Sequence, residues 1–92
     1  MTIRWRGQEL YITRLPLDAM GRLAACAPGS PEEREVLAAL LAGARVYLAP
    51  GALEYRRYCK TAGDGMYTRC VALERRLREM GVRCAPRRTP EQ

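Results

Sequence analysis

The 92 residues leave room for one domain with a single core, and an apolar share of 48% is too high for a disordered chain. Sixteen Lys and Arg against ten Asp and Glu give a net charge of +6. The complete absence of histidine excludes Ser-His and Cys-His nucleophile pairs and any histidine general base. No run of about 18 apolar residues exists to cross a bilayer, and the charged stretch Met1–Glu9 has no apolar signal region, so a cytoplasmic location is expected.

Ile3 and Trp5 alternate with Arg4 and Arg6, and Leu10 and Ile12 alternate with Tyr11 and Thr13, with Gly7-Gln8 as a turn between them. This pattern predicts two short strands joined as a hairpin. Leu15-Pro16 breaks the second strand. Asp18 is then the expected N-cap of a helix carrying Met20, Leu23, Ala24 and Ala27, which Ala27-Pro28-Gly29 ends. Ser30-Pro31-Glu32-Glu33 is the clearest helix start: Ser30 as N-cap, Pro31 at the first helical position, Glu33 completing a capping box. Val36, Leu37, Leu40 and Leu41 form its expected apolar stripe, and Gly43 suits its C-terminus. Val46–Ala49 reads as a strand closed by Pro50-Gly51. Ala52–Lys60 reads as a short helix. Asp64 is the expected cap of a longer one reaching about Met80, with Met66, Cys70, Leu73, Leu77 and Met80 inward. Gly81 ends it, Val82–Ala85 is a last strand, and residues 86–92 form a polar, flexible tail after a single domain over 1–85.

Strands alternating with helices predict an α/β fold with three to four short, mostly parallel strands and three to four helices. The four cysteines, Cys26, Cys59, Cys70 and Cys84, lack C-x-x-C spacing and are expected to be reduced, mostly buried thiols without metal. Charge is uneven: residues 1–53 carry a net +1 and residues 54–92 a net +5. The arginines Arg75, Arg76, Arg78, Arg83, Arg87 and Arg88 make a basic strip, interleaved with Glu74 and Glu79 at helix-pairing distances. No aromatic follows Tyr67, so nucleic-acid stacking is not expected on that strip.

The sharpest motif is Glu54-Tyr55-Arg56-Arg57-Tyr58, placed after a strand end, where α/β proteins put their sites. Two arginines and two tyrosines suit a carboxylate, a phosphate or an acidic protein surface; the plainer reading is packed tyrosines and solvated arginines. Gly63-Asp64-Gly65 offers a phosphate-cradling turn or, more simply, a helix cap. Asp18, Glu32, Glu33 and Glu35 suit helix N-termini.

The stretch EVLAALLAGARVYLAPGALEYRRY followed by KTAGDGMYTRCVALERRLREMGV resembles the C-terminal part of a protein family encoded with bacterial microcompartments for ethanolamine and propanediol utilisation. Gly51, Leu53, Glu54, Tyr55, Arg56, Arg57 and Tyr58 carry the match, with Ala52 as a variation. The resemblance implies a small, three-layer-like half of a flavoprotein- or Rossmann-like fold. It implies a non-catalytic accessory protein acting through protein–protein contacts, with Glu54 to Tyr58 as the contact residues. Shell or cargo proteins and a second copy of the chain are then the expected partners, not nucleic acid or membrane. In the flavoprotein fold, to which members of that family look related, a Pro-Ser-x-Ser-x-Asn-Thr loop would bond a flavin phosphate; here the place reads Thr13-Arg14-Leu15-Pro16-Leu17-Asp18-Ala19-Met20. No cofactor is therefore expected, with FMN and a flavoprotein-type enzyme subunit as the alternative, and a small basic nucleic-acid-binding module as a further one.

Overall fold

The computed structural model describes residues 1–85; the tail expected over 86–92 lies outside the described residues. Strands β1 (Thr2–Arg6) and β2 (Glu9–Arg14) are followed by helices α1 (Leu17–Ala24) and α2 (Pro31–Leu41). Then come β3 (Arg45–Leu48), a 3-10 turn over Glu54–Tyr58, helix α3 (Asp64–Glu79) and β4 (Val82–Cys84). The four strands make one sheet in the order β1-β2-β3-β4, antiparallel between β1 and β2 and parallel thereafter. The α/β class and the mostly parallel sheet agree with the sequence pattern.

The hairpin turn rests on Gly7, whose φ of +62° is a conformation other residues rarely adopt. Strand alternation then sorts the side chains. Leu10, Val46 and Val82 sit opposite one another across β2, β3 and β4, and all three are buried. Ile12 and Leu48 form the next such row. Strand order follows chain order, so two right-handed parallel crossovers place their helices on the same face. The packing agrees: α1 lies on α2 and α3, α2 on β3, and α3 on β4. The core is this interlayer, where Leu15, Met20, Leu23, Val36 and Leu77 meet the sheet residues. Half of a three-layer fold thus means one sheet and one helical layer.

Ser30 caps α2 as expected, its Oγ accepting the Glu33 N–H at 3.2 Å, and Gly43 follows α2 with a φ of +79°. Several local expectations are corrected. Asp18 does not cap α1, because the helix begins at Leu17 and places Asp18 inside its first turn. Asp64 likewise is the first residue of α3, behind an N-cap at Gly63. Leu41 is 90% exposed, because Glu33, Val36 and Ala39 set the inward face of α2 and Leu41 lies well around the helix from it. On α3 the inward stripe is Cys70, Glu74 and Leu77, while Met66 is half-exposed. The cysteines are also not mostly buried: only Cys70 is, and Cys26, Cys59 and Cys84 are exposed free thiols.

The helix expected over Ala52–Lys60 is a five-residue 3-10 turn instead. Beyond the turn at Pro50-Gly51, Leu15 and Leu53 pair as an isolated parallel bridge, and the extended backbone at Leu53 delays the start of the turn to Glu54. Thr61 and Ala62 both donate back to the Tyr58 carbonyl, at 3.1 and 2.8 Å, and end the turn.

Candidate functional site

The Glu54–Tyr58 turn stands just beyond the carboxyl ends of β2 and β3. Leu48 leads into Ala49-Pro50-Gly51, and Gly51, at a φ of +76°, reverses the chain. The Leu15 N–H donates to the Ala52 carbonyl at 2.8 Å, and the Glu54 N–H donates to the Leu15 carbonyl at 3.3 Å. These bonds seat the turn against the start of α1.

Three of the five motif residues are consumed by internal bonds. Glu54 Oε1 accepts the Leu17 N–H at 3.0 Å and so supplies the cap that α1 lacks locally. The Tyr55 hydroxyl donates to Glu74 Oε1, and the Tyr55 ring packs at 5.3 Å from that of Tyr67. Arg56 Nη2 donates to Glu74 Oε2 at 2.7 Å, and Arg78 Nη2 to the same oxygen at 2.5 Å. Burial pushes the Glu74 carboxyl up, but donation from Tyr55, Arg78 and Arg56 outweighs it and holds the group below its usual range. Burial, and then the adjoining Glu74 carboxylate, push the Tyr55 hydroxyl up to about 12.

Glu74 is therefore the hub of the cluster, only 6% exposed. Its sequence neighbours suggested a solvated helix face. The available signal was its place on the apolar stripe, four residues after Cys70 and three before Leu77.

Arg57 is exposed and Tyr58 is 51% exposed, next to Met66 at 53%. Between Tyr58 and Met66 runs an apolar groove of about 340 Å³, floored by Leu17, Tyr55, Tyr67 and Cys70. A second crevice, of about 600 Å³, opens on the far side, between the Ala49–Leu53 turn, Arg56, Arg57 and the end of β4 at Cys84. Arg78 bonds Cys84 Sγ at 3.1 Å. The cluster presents cations and aromatic carbon, and its carboxylates are tied to donors inside the fold.

A flavin phosphate does not fit the turn after β2. The N-terminus of α1, where a phosphate would take the free N–H groups, already holds the Glu54 carboxylate. The nearby Thr13 hydroxyl donates to the Thr2 carbonyl at 3.3 Å. Gly63-Asp64-Gly65 opens α3 without a side-chain cap bond. Of the basic strip, Arg78 is bonded to Glu74, and Arg75 and Arg76 are exposed on α3, whereas Arg83 lies on β4. Among the described residues, no group of three His, Cys, Asp or Glu is placed to hold a metal ion, and no helix is long and apolar enough to cross a membrane. No protein-family model, no curated protein and no solved structure matches the chain.

Proposed function

We propose that the protein is a non-catalytic accessory component of a bacterial microcompartment of the ethanolamine- or propanediol-utilisation type, and that it works by binding another protein of that assembly. The observation that carries the binding role is the groove between Tyr58 and Met66, two large apolar side chains left half-exposed. Tyrosine and methionine are both enriched in protein interfaces. An amphipathic segment with one apolar anchor and acidic flanks suits the groove and the exposed cations Arg57 and Lys60 that border Tyr58 in the chain. The Leu53–Tyr58 string supports the microcompartment assignment. Its shell and cargo proteins are the partners that follow, and the outer edge of β1 is where a second copy would pair.

The test is a fluorescent fusion in cells assembling a microcompartment of either type. Foci coincident with a shell marker are expected, and the double substitution Arg57→Glu, Tyr58→Ser disperses them. Diffuse fluorescence from the folded, unsubstituted protein overturns the reading. Purified protein absorbing near 450 nm moves the flavoprotein alternative ahead of it.

A further inference from the structure

With all three helices on one face of the sheet, the other face is left to the odd-numbered positions of β2, β3 and β4 and their partners on β1. One cross-strand row runs through all four strands: Arg4 opposite Tyr11, Tyr11 opposite Tyr47, Tyr47 opposite Arg83. The next row is Arg6 opposite Glu9 and Glu9 opposite Arg45. The two central tyrosines stack, with ring centroids 5.2 Å apart and planes 29° from parallel. The Arg6 guanidinium lies over the Tyr11 ring at 5.9 Å. Arg4, Arg6, Arg45 and Arg83 are all exposed, and the one carboxylate among them, Glu9, is engaged by the Tyr11 hydroxyl at 3.1 Å and by Arg45 at 3.6 Å.

We propose that this open sheet face is a binding surface for single-stranded nucleic acid, with bases stacking on Tyr11 and Tyr47 and phosphates held by Arg4, Arg6, Arg45 and Arg83. The composition of the face selects this occupant. Its surplus of positive charge repels a second copy of the same face and attracts a polyanion. Its two rings sit on the central strands with arginines on both outer strands, so a strand crossing the row meets cation, ring, ring, cation. A flat sheet with aromatics at its centre is a platform for unpaired bases, whose π-faces duplex DNA hides. A base on Tyr11 takes the ring face that the exposed Arg6 guanidinium now covers, which leaves that cation for the adjoining phosphate. This surface lies on the opposite side of the sheet from the groove at Tyr58 and is independent of it.

The experiment is fluorescence anisotropy with the full chain and fluorescein-labelled dT and rU decamers, a duplex of equal length and a poly-glutamate peptide. Both decamers are expected to bind more tightly than the duplex. Log affinity should fall against log salt with a slope of about −2 to −3, from three or four phosphate contacts. Tyr47→Ala should weaken binding about 10- to 100-fold, Tyr47→Phe should retain it, and Arg83→Glu and Arg4→Glu should weaken it without touching the core. Arg75→Glu on α3 should change little. Absence of decamer binding at about 100 μM protein in low salt overturns the proposal. So does equal affinity for duplex, or affinity that follows Arg75 and not Tyr47. Tyr47-dependent binding of poly-glutamate in place of the decamers overturns it as well, and assigns the face to an acidic protein.

Discussion

Tyr11 and Tyr47 face each other across the parallel junction of β2 and β3, and their rings stack with centroids 5.2 Å apart on the side of the sheet away from the helices. They are 36 positions apart in the chain, and each taken alone is the polar-side residue of an alternating strand. The pair contributes to the sheet whatever binds it. A double-mutant cycle on Tyr11→Ala and Tyr47→Ala, read by urea unfolding, should return a coupling of about 0.5–1 kcal/mol.

The Glu74 hub makes a larger demand. Glu74→Leu leaves the buried Tyr55 hydroxyl without its acceptor and Arg56 and Arg78 without their shared partner, and should cost about 2–4 kcal/mol. Tyr55→Phe alone should cost about 1 kcal/mol. The double substitution should cost less than the two added together, because it removes both ends of the buried bond. The Tyr55 hydroxyl is raised to about 12 in the fold. Its share of the stability is therefore complete below the ordinary tyrosine range near pH 10 and is lost as pH rises from there toward 12. Urea unfolding at a series of alkaline pH values, with Tyr55→Phe as reference, measures it.

Acid should act through Glu33. This carboxylate is 2% exposed and holds Arg22 at 2.8 and 2.6 Å and the Gly29 N–H at 2.7 Å. Chiefly through the Arg22 hydrogen bond, it is lowered to about 2. A lowered carboxylate stabilises the fold above its unfolded value and loses that contribution as pH falls from about 4.5 toward 2. The loss should be about 2 kcal/mol, allowing for solvent around the half-exposed Arg22. Glu33→Gln should be less stable at neutral pH and show a flatter acid limb.

Three carboxylates near helix starts should separate cleanly. Glu54→Ala removes the side-chain cap of α1 and should cost about 1 kcal/mol, near 4–8 °C in Tm, while Glu54→Gln, which keeps an acceptor oxygen, recovers most of it. Asp18→Ala and Asp64→Ala should each stay within about 0.5 kcal/mol, since neither makes a capping bond. Thermal melts of the four variants decide this.

Cys26 is the one non-glycine residue with a left-handed backbone among the described residues, at a φ of +56°, in the connection after α1. A side chain there carries about 1 kcal/mol of strain. Cys26→Gly relieves it at some cost in unfolded-chain entropy, so its stability should stay level or rise by a few tenths of a kcal/mol. A substantial fall in Tm would contradict the assignment.

The order of elements was legible in the chain because its signals are local. Ser30, Pro31 and Glu33 start a helix wherever they occur together, Gly7 and Gly43 mark reversals, and alternation over Ile3–Trp5 and Leu10–Ile12 writes a hairpin. The candidate site was half legible: Glu54 to Tyr58 stand at a strand end, as expected, but Glu54, Tyr55 and Arg56 are tied by internal bonds. The sequence names no partner for Glu54, Tyr55 or Arg56, because Leu17 and Glu74 lie 37, 19 and 18 positions from them. The α1 cap erred for the same reason, since the distant Glu54 carboxylate took the place assigned to Asp18.

By itself, then, the sequence determined what short-range physics controls: one α/β domain of short strands and amphipathic helices, basic overall and without histidine chemistry. The tertiary structure alone decided which polar groups are internal and which face is open. Strand register depends on pairing between segments far apart in the chain, and only that register aligns Arg4, Tyr11, Tyr47 and Arg83 in a single row. The choice of covered face depends on the handedness of two crossovers, which leaves those four side chains outside the core.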